Sequence, residues 1–594
     1  MIFPIPKEYE ERSGVFSFKS RPNADDLYRF YRDCLSSEEI AFSKDLVLGK
    51  EAYVMQIGEY GVKIASSCEE GAFRAVTSLY QLYKNGGGGA VRFASIEDRP
   101  DFERRAYMLD ISRGRVPKPE TIKKLIDILA LLKYNEFQLY MENFCFQYPL
   151  FPEVTEGFDC LTVEDIKELE RYCRDRFIDL VPNQNCLGHM GAWLEREEYQ
   201  HLEVSENGER TYTINPLLEE SNRLIDKIFD SLLPYFSSEY VNIGLDEAYG
   251  LGRFQLEEYC QKHGKDTLFM EHLNRVAENI SQKYGKKVQF WSDMIINYPQ
   301  SFSQIPEDAT VLEWGYEVRD ERLMQEHCQY LREKNVSFYV CPSCNTHFSL
   351  TGRFEVAAYN IRTSAELGRM YGAKGAMLTD WSMDQEGHPH FLVWSLMPIA
   401  LGGQHFWNIE EEQNCGVMET CFERYSADFL DQFVFGGEKV GKYLHRLANY
   451  SLLEPERVRL GTMCGMTLWQ DLDQTSYGAF FDLKACGDAF YFDNVIRYVN
   501  EILADVKKLS IDDYYKREII MNSDMVVLAA EFCKLRMGAK IGEEKIRLLI
   551  DFVDSIDKEF RSLWLERNYE EGISRFLEVL SARKRDLTNM LSQN

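Results

Sequence analysis

The stretch RAYMLDISRGRVPKPETIKKLIDILALLKYNEFQLYMEN, residues 105–143, sets two short apolar runs, RAYMLDIS (105–112) and EFQLYMEN (136–143), around PETIKKLIDILALLK (119–133). The outer runs have the length of strands. The middle repeats apolar residues at three- and four-residue steps behind a proline, which predicts a helix. Two strands joined by a helix of this length form a parallel crossover unit. The same beat continues through DLVPNQNC (179–186), YVNIGLDE (240–247), KVQFWSDM (287–294), ATVLEWGY (309–316), VSFYVCPS (336–343) and KGAMLTDW (374–381), with helical patterns such as 163–175 and 363–372 between them. Eight such units predict an α/β fold of the (β/α)₈ TIM-barrel type over residues 98–410. A doubly wound open sheet is the competing arrangement, since periodicity alone does not show closure.

Working outward, residues 1–97 read as a small α+β domain. Strand patterns at 53–57 and 61–66 precede a helix at 72–85, which the glycines at 86–89 stop. Residues 411–594 read as a mostly helical C-terminal domain, with apolar faces at 438–450, 494–509, 523–538 and 576–591. The chain has 594 residues, enough for several cores, and 45% of them are hydrophobic, which excludes a disordered chain. Its 68 Lys and Arg against 96 Asp and Glu give a net charge of −28, which argues against nucleic acid and anionic membranes as partners. The opening MIFPIPKEYEERSG reads as no secretory leader, and no long apolar span follows. Fifteen scattered cysteines, an odd number, are expected to be reduced, mostly buried thiols of a cytoplasmic protein.

Barrel sites form at the C-terminal ends of strands, so the polar residues that close each run are the candidates. They are Arg113, Glu142 with Asn143, Asn183 to Asn185 with His189 beyond, Asp246 with Glu247, Trp291 with Asp293, Glu313 with Trp314, Tyr339, and Asp380 with Trp381. A rim rich in carboxylates and tryptophan suits a neutral polyhydroxylated ligand better than a phosphorylated one. Retaining glycosidases usually hold two carboxyls about 5 to 5.5 Å apart on different strands. Consecutive acids on an extended segment diverge, so one could reach the glycosidic oxygen while the other addresses a neighbouring group of the same sugar. Substrate-assisted hydrolysis by a 2-acetamido carbonyl is the expected chemistry. Glu247 would be the general acid, its pKa raised by burial and by Asp246, and Asp246 would orient the acetamide.

These motifs together resemble glycoside hydrolase family 20, the β-N-acetylhexosaminidases. Residues 104–143 look like that family's first strand, helix and second strand, NIGLDEAYGLG (242–252) like its Asp-Glu motif, and LVPNQNCLGHM (180–190) like its third strand and following histidine. GVKIASSCEEGAFRAVTSLYQL (61–82) looks like the small domain that precedes the barrel. FYVCPSCNTHFSLTGR (338–353) and the helical tail lean towards cytosolic hexosaminidase D-like and streptococcal-type members. The resemblance implies exo-action on terminal β-linked GlcNAc or GalNAc, retention, and neither metal nor other cofactor. By position it makes Asp246 the acetamide-polarising residue and Glu247 the acid/base. Arg113 and His189 would support sugar hydroxyls, and Trp291, Trp314 and Trp381 would clasp the acetamido methyl.

Two segments depart from the family pattern: 343–348 lacks an expected tryptophan, with His347 near its place, and the loop 382–390 is altered. Both bear on sugar or aglycone specificity. Cys341, Cys344 and His347 fall short of the four ligands of structural zinc. Two other readings stay open, an idle sugar-binding barrel and a two-carboxylate glycosidase with Glu142, Glu313 or Asp380 as nucleophile. The helical tail makes a homodimer an expectation.

Overall fold

The computed structural model describes residues 2–382, 391–409, 421–478 and 480–593. Strands β1 (Glu8–Ser17), β2 (Ile40–Lys44), β3 (Tyr53–Gly58), β4 (Gly61–Ser66) and β5 (Ala90–Asp98) form a sheet in the order β1-β5-β3-β4-β2. The helices Leu27–Ser36 and Glu69–Asn85 pack against it, burying Phe30, Tyr31, Phe73 and Val76.

The eight crossover units close into a barrel. Its strands are β6 (Arg104–Asp110), β7 (Glu136–Met141), β8 (Asp179–Gln184), β9 (Tyr240–Asn242), β10 (Lys287–Trp291), β11 (Thr310–Trp314), β12 (Phe338–Cys341) and β13 (Gly375–Asp380). All neighbouring pairs are parallel, and β13 pairs with β6 from Gly375↔Arg104 to Asp380↔Leu109, which excludes the open sheet. Both faces of each strand are covered, by helices outside and side chains inside, so Glu136–Met141 is buried at every residue. Ala106, Met108, Tyr140, Trp291, Leu312, Tyr339, Cys341 and Met377 form one apolar cluster inside the barrel. The amides of Gln138, Asn183, Asn242 and Gln289 bond one another at 2.7–3.1 Å.

The fourth strand departs from expectation. It stops at Asn242, because Gly244 and Leu245 both take φ 73° and leave the extended region. The acid pair therefore rides on a folded-back loop.

The C-terminal region is helical, with Cys421–Phe433, Gly441–Leu447, Phe490–Val506, Asp513–Arg536, Glu543–Arg567 and Ile573–Gln593 as its main helices. It docks on the barrel. Lys118 N–H donates to Arg567 O at 2.8 Å and Tyr569 N–H to Val116 O at 2.9 Å. Thirteen described cysteines are free thiols, but Cys421 is disulfide-bonded, so the expectation of wholly reduced cysteines needs correction there. Among the described residues, no helix is long and apolar enough to cross a membrane.

Candidate active site

At the C-terminal end of the barrel lies a cavity of about 170 Å³ lined by Arg113, Tyr140, His189, Asp246, Glu247, Trp291, Trp314, Tyr316, His347, Phe348, Trp381 and Leu460. Arg113 is aimed by its own strand end. Asp110, fully buried, accepts from Ser112 N–H at 3.0 Å and Arg113 N–H at 3.1 Å, and its other oxygen takes Arg113 Nε at 2.7 Å. The guanidinium then lies over the rings of Tyr140 and Trp381, 5.3 and 4.8 Å from their centroids. Burial opposes its charge, but Asp110 and Glu142 outweigh that and raise its pKa further.

His189 gathers the acids. Gly188 makes this possible: a Cβ there would stand 2.2 Å from Asp246 O, so only glycine lets the loop after β8 lie against the acid loop. His189 Nε2 is 3.2 Å from Glu247 Oε2 and 3.4 Å from Asp246 Oδ2, while Nδ1 faces Glu142 Oε1 at 3.5 Å. Leu245 and Glu247 both have positive φ, 73° and 46°. The two acids thus converge on one imidazole nitrogen, where an extended segment would have sent them apart.

Burial disfavours the imidazolium, yet Asp246, Glu142 and Glu247 raise the His189 pKa well above its usual value. That charge, with the bonds from His189 and Tyr249, holds Glu247 below the usual carboxylate range despite burial. The expectation of a raised Glu247 is overturned, because the bond and charge of His189 outweigh burial. The raised acids are its neighbours. Burial, with Glu247 and Glu142 adding, lifts Asp246 against the pull of His189. Burial and Asp246 push Asp293 up to about 7. Asp293 accepts the Glu247 N–H at 2.9 Å and the Trp314 side chain, which ties β10 and β11 to the acid loop.

Aromatic side chains make the rest. Trp291, 1% exposed, forms the floor, tilted 5.8 Å from Trp381. Trp381 Nε1–H donates to the Tyr316 hydroxyl at 2.9 Å, and Tyr316 lies 5.1 Å from Trp314 and 6.0 Å from His347. Asp246 Oδ1 and Trp291 Nε1 in this wall have no hydrogen-bond partner among the described residues.

Of the residues expected from the sequence, Arg113, His189, Asp246, Glu247, Trp291, Trp314, His347 and Trp381 come together in the cavity. Glu142 and Asp293 stand behind it, Glu142 accepting from Tyr140 at 2.9 Å. Tyr339 and Asp380 do not line it, contrary to expectation. The Tyr339 hydroxyl points down the barrel to Glu136 at 3.2 Å, and Asp380 is engaged by the hydroxyls of Tyr107 and Thr346. Glu313 faces outward to His327 Nδ1 at 2.7 Å. Neither Glu313 nor Asp380 is placed to be a nucleophile. Residues 383–390, most of the altered loop, lie outside the described residues. Sequence reading missed Tyr140, Tyr316, Phe348 and Leu460; both tyrosines lie in the quoted strand runs, where an aromatic passes for core.

A family model described as "Glycosyl hydrolase family 20, catalytic domain" matches residues 102–392, and one described as "Glycosyl hydrolase family 20, domain 2" matches 31–99. Together they take in more than half of the chain. A beta-hexosaminidase of Porphyromonas gingivalis is 27% identical over 308 residues, 45% of this chain and 38% of that protein. One of Vibrio furnissii is 24% identical over 326 residues, 48% and 52% respectively. The chain thus spans about half or less of the length of these curated relatives. Among solved structures, a beta-N-acetylhexosaminidase from Bacteroides fragilis aligns with TM-score 0.57 at 19% identity, covering 73% of this chain and 94% of that one. A Flavobacterium johnsoniae chitobiase aligns with TM-score 0.58 at 14% identity over 98% of both chains. At such identities the structural likeness concerns the fold.

Proposed function

This chain belongs to glycosyl hydrolase family 20, and on that premise we propose that it is an exo-acting, retaining β-N-acetylhexosaminidase working by substrate assistance. The observation that carries the reading is Asp246 Oδ1, a buried acceptor without a partner among the described residues, beside a tryptophan-walled cavity. A 2-acetamido N–H supplies the donor that this oxygen lacks. Held so, the acetamido carbonyl oxygen attacks the anomeric carbon as the glycosidic bond breaks. Glu247 gives its proton to the departing oxygen, and the aglycone leaves as an alcohol. Asp246 stabilises the oxazolinium charge. Water, deprotonated by Glu247, then opens the ring with overall retention.

The acid's proton comes from its partner. His189 holds Glu247 below the usual carboxylate range, but its side chain is 37% exposed, and a sugar laid over it removes that water and favours the neutral form. His189, charged and 3.2 Å away, is the proton source, and Glu142 steadies it from the far nitrogen.

Specific hydrolysis of terminal GlcNAc or GalNAc from oligosaccharides or glycoconjugates is part of this proposal. So are kinship with cytosolic hexosaminidase D-like and streptococcal-type members, a homodimer, and a cytoplasmic setting. The thirteen free cysteines support that setting, and the disulfide of Cys421 speaks against it. Chromogenic β-GlcNAc and β-GalNAc glycosides test the activity. The protein should cleave at least one, a thiazoline analogue of the intermediate should inhibit it, and Glu247→Gln should abolish most of the rate. Turnover of neither glycoside, or a fully active variant, defeats the proposal.

A further inference from the structure

Leu460 is the one residue lining the cavity, among the described residues, that the barrel does not supply. It belongs to the helical C-terminal region and is fastened to the rim from two strand ends. Its N–H donates to Glu317 Oε1 at 2.9 Å, the oxygen that also takes Arg353 Nη2 at 2.8 Å. Arg353 in turn bonds Asn345 Oδ1 at 2.7 Å, and Thr462 N–H donates to Phe348 O at 3.1 Å. Gly461 allows this closeness: a Cβ there would stand 2.6 Å from Phe348 Cβ. The backbone of Leu460 itself has φ 63°, a region where a bulky side chain is strained and glycine is not. A leucine kept there against that strain points to a use for its side chain.

Its position suggests the use. Trp291 and Tyr140 are buried at the floor, whereas Leu460, Phe348 and Glu247 are half-buried and mark the mouth. An exo-acting site holds the sugar on the floor and sends the leaving group out past the acid. We infer that Leu460, paired with Phe348, is a specificity-determining contact for the leaving group, so that the C-terminal helical region selects aglycones with an apolar face next to the scissile bond. The inference rests on the hexosaminidase reading above.

Methyl and octyl β-glycosides of the N-acetylhexosamine that the protein hydrolyses provide the test, since both leave as primary alcohols and differ only in apolar reach. The wild type should favour octyl through KM. Leu460→Gly removes the side chain and relieves the positive φ, so its melting temperature should not fall. Its octyl-to-methyl ratio of kcat/KM should drop about fivefold, carried by KM, as expected for loss of one apolar contact. Leu460→Met should keep the wild-type ratio. An unchanged ratio in Leu460→Gly, or the same loss on both glycosides, overturns the inference while leaving the hexosaminidase reading intact. Turnover of neither glycoside by the wild type overturns that reading and this one with it.

Discussion

The two ends of the barrel bury comparable numbers of charges and use them in opposite ways. At the N-terminal end acids and bases are matched. Glu51 takes Arg74 and Arg105 at 2.8 and 2.7 Å, Arg104 takes Glu136 and Asp179 at 2.7 Å each, and Lys133 takes Asp98 at 2.7 Å. At the C-terminal end Asp110, Glu142, Asp246 and Glu247 share Arg113 and His189 around the cavity, with Asp293 beside them taking the Glu247 N–H. At the N-terminal end Arg105 and Arg74 hold Glu51 ionised against burial, and the pairs of Glu51 and Asp98 join the small domain to the barrel. A surplus of acids cannot all ionise, so protons stay in the site near neutral pH, on His189 and partly on Asp293. One end provides cohesion, the other proton traffic.

Substitutions should therefore cost rate at one end and stability at the other. The largest effect is expected for Glu247→Gln, which should lower kcat about 10²- to 10⁴-fold on an unactivated glycoside with little change in melting temperature. Glu51→Ala strands Arg74 and Arg105, and should destabilise the fold by roughly 3–5 kcal/mol in chemical denaturation while the folded enzyme keeps its kcat. Burial would raise the Glu51 pKa, but Arg105 and Arg74 hold it at about 2 against 4.5 for the free side chain. A lowered carboxyl pKa stabilises above pH 4.5, and that contribution, about 3 kcal/mol, is lost as pH falls through 2. The variant's stability should accordingly vary less with pH across this window. A smaller effect tests the rim: Glu142→Gln removes an anion that favours the His189 imidazolium, so the alkaline limb of kcat/KM should move to lower pH. An unmoved limb would take Glu142 out of the relay. The smallest is Tyr339→Phe, which should cost about 1 kcal/mol through the lost bond to Glu136 and leave kcat/KM within about twofold.

Much of the contrast is legible in the sequence. Seven of the eight barrel strands lie within the runs marked by apolar spacing, and β6 begins one residue before its run, because a strand covered on both faces is mostly apolar. Asp246, Glu247 and the three tryptophans are legible as strand-end polar or aromatic residues. Three things are not. Strand-end position does not tell which way a side chain turns, so Tyr339 and Asp380 look like rim residues although their partners lie in the barrel. Positive φ at Leu245 and Glu247 has no signature in residue type, so the convergence of the acids on His189 and the resulting depression of Glu247 are invisible. Leu460 comes from a region whose periodicity speaks only of packing. In the same region the helix Glu543–Arg567 lies outside the expected apolar faces, though Ile546, Leu549, Val553, Ile556 and Phe560 mark its buried side.

The central claim is that the substrate's acetamido oxygen is the nucleophile and that Asp246 readies it. Its most direct test is kcat/KM along a series of β-glycosides whose N-acetyl group carries none, one, two or three fluorines. Fluorine drains the carbonyl oxygen of nucleophilicity, so kcat/KM should fall steeply and monotonically across the series. A flat series, with a 2-fluoro sugar becoming covalently attached to the protein, would contradict it.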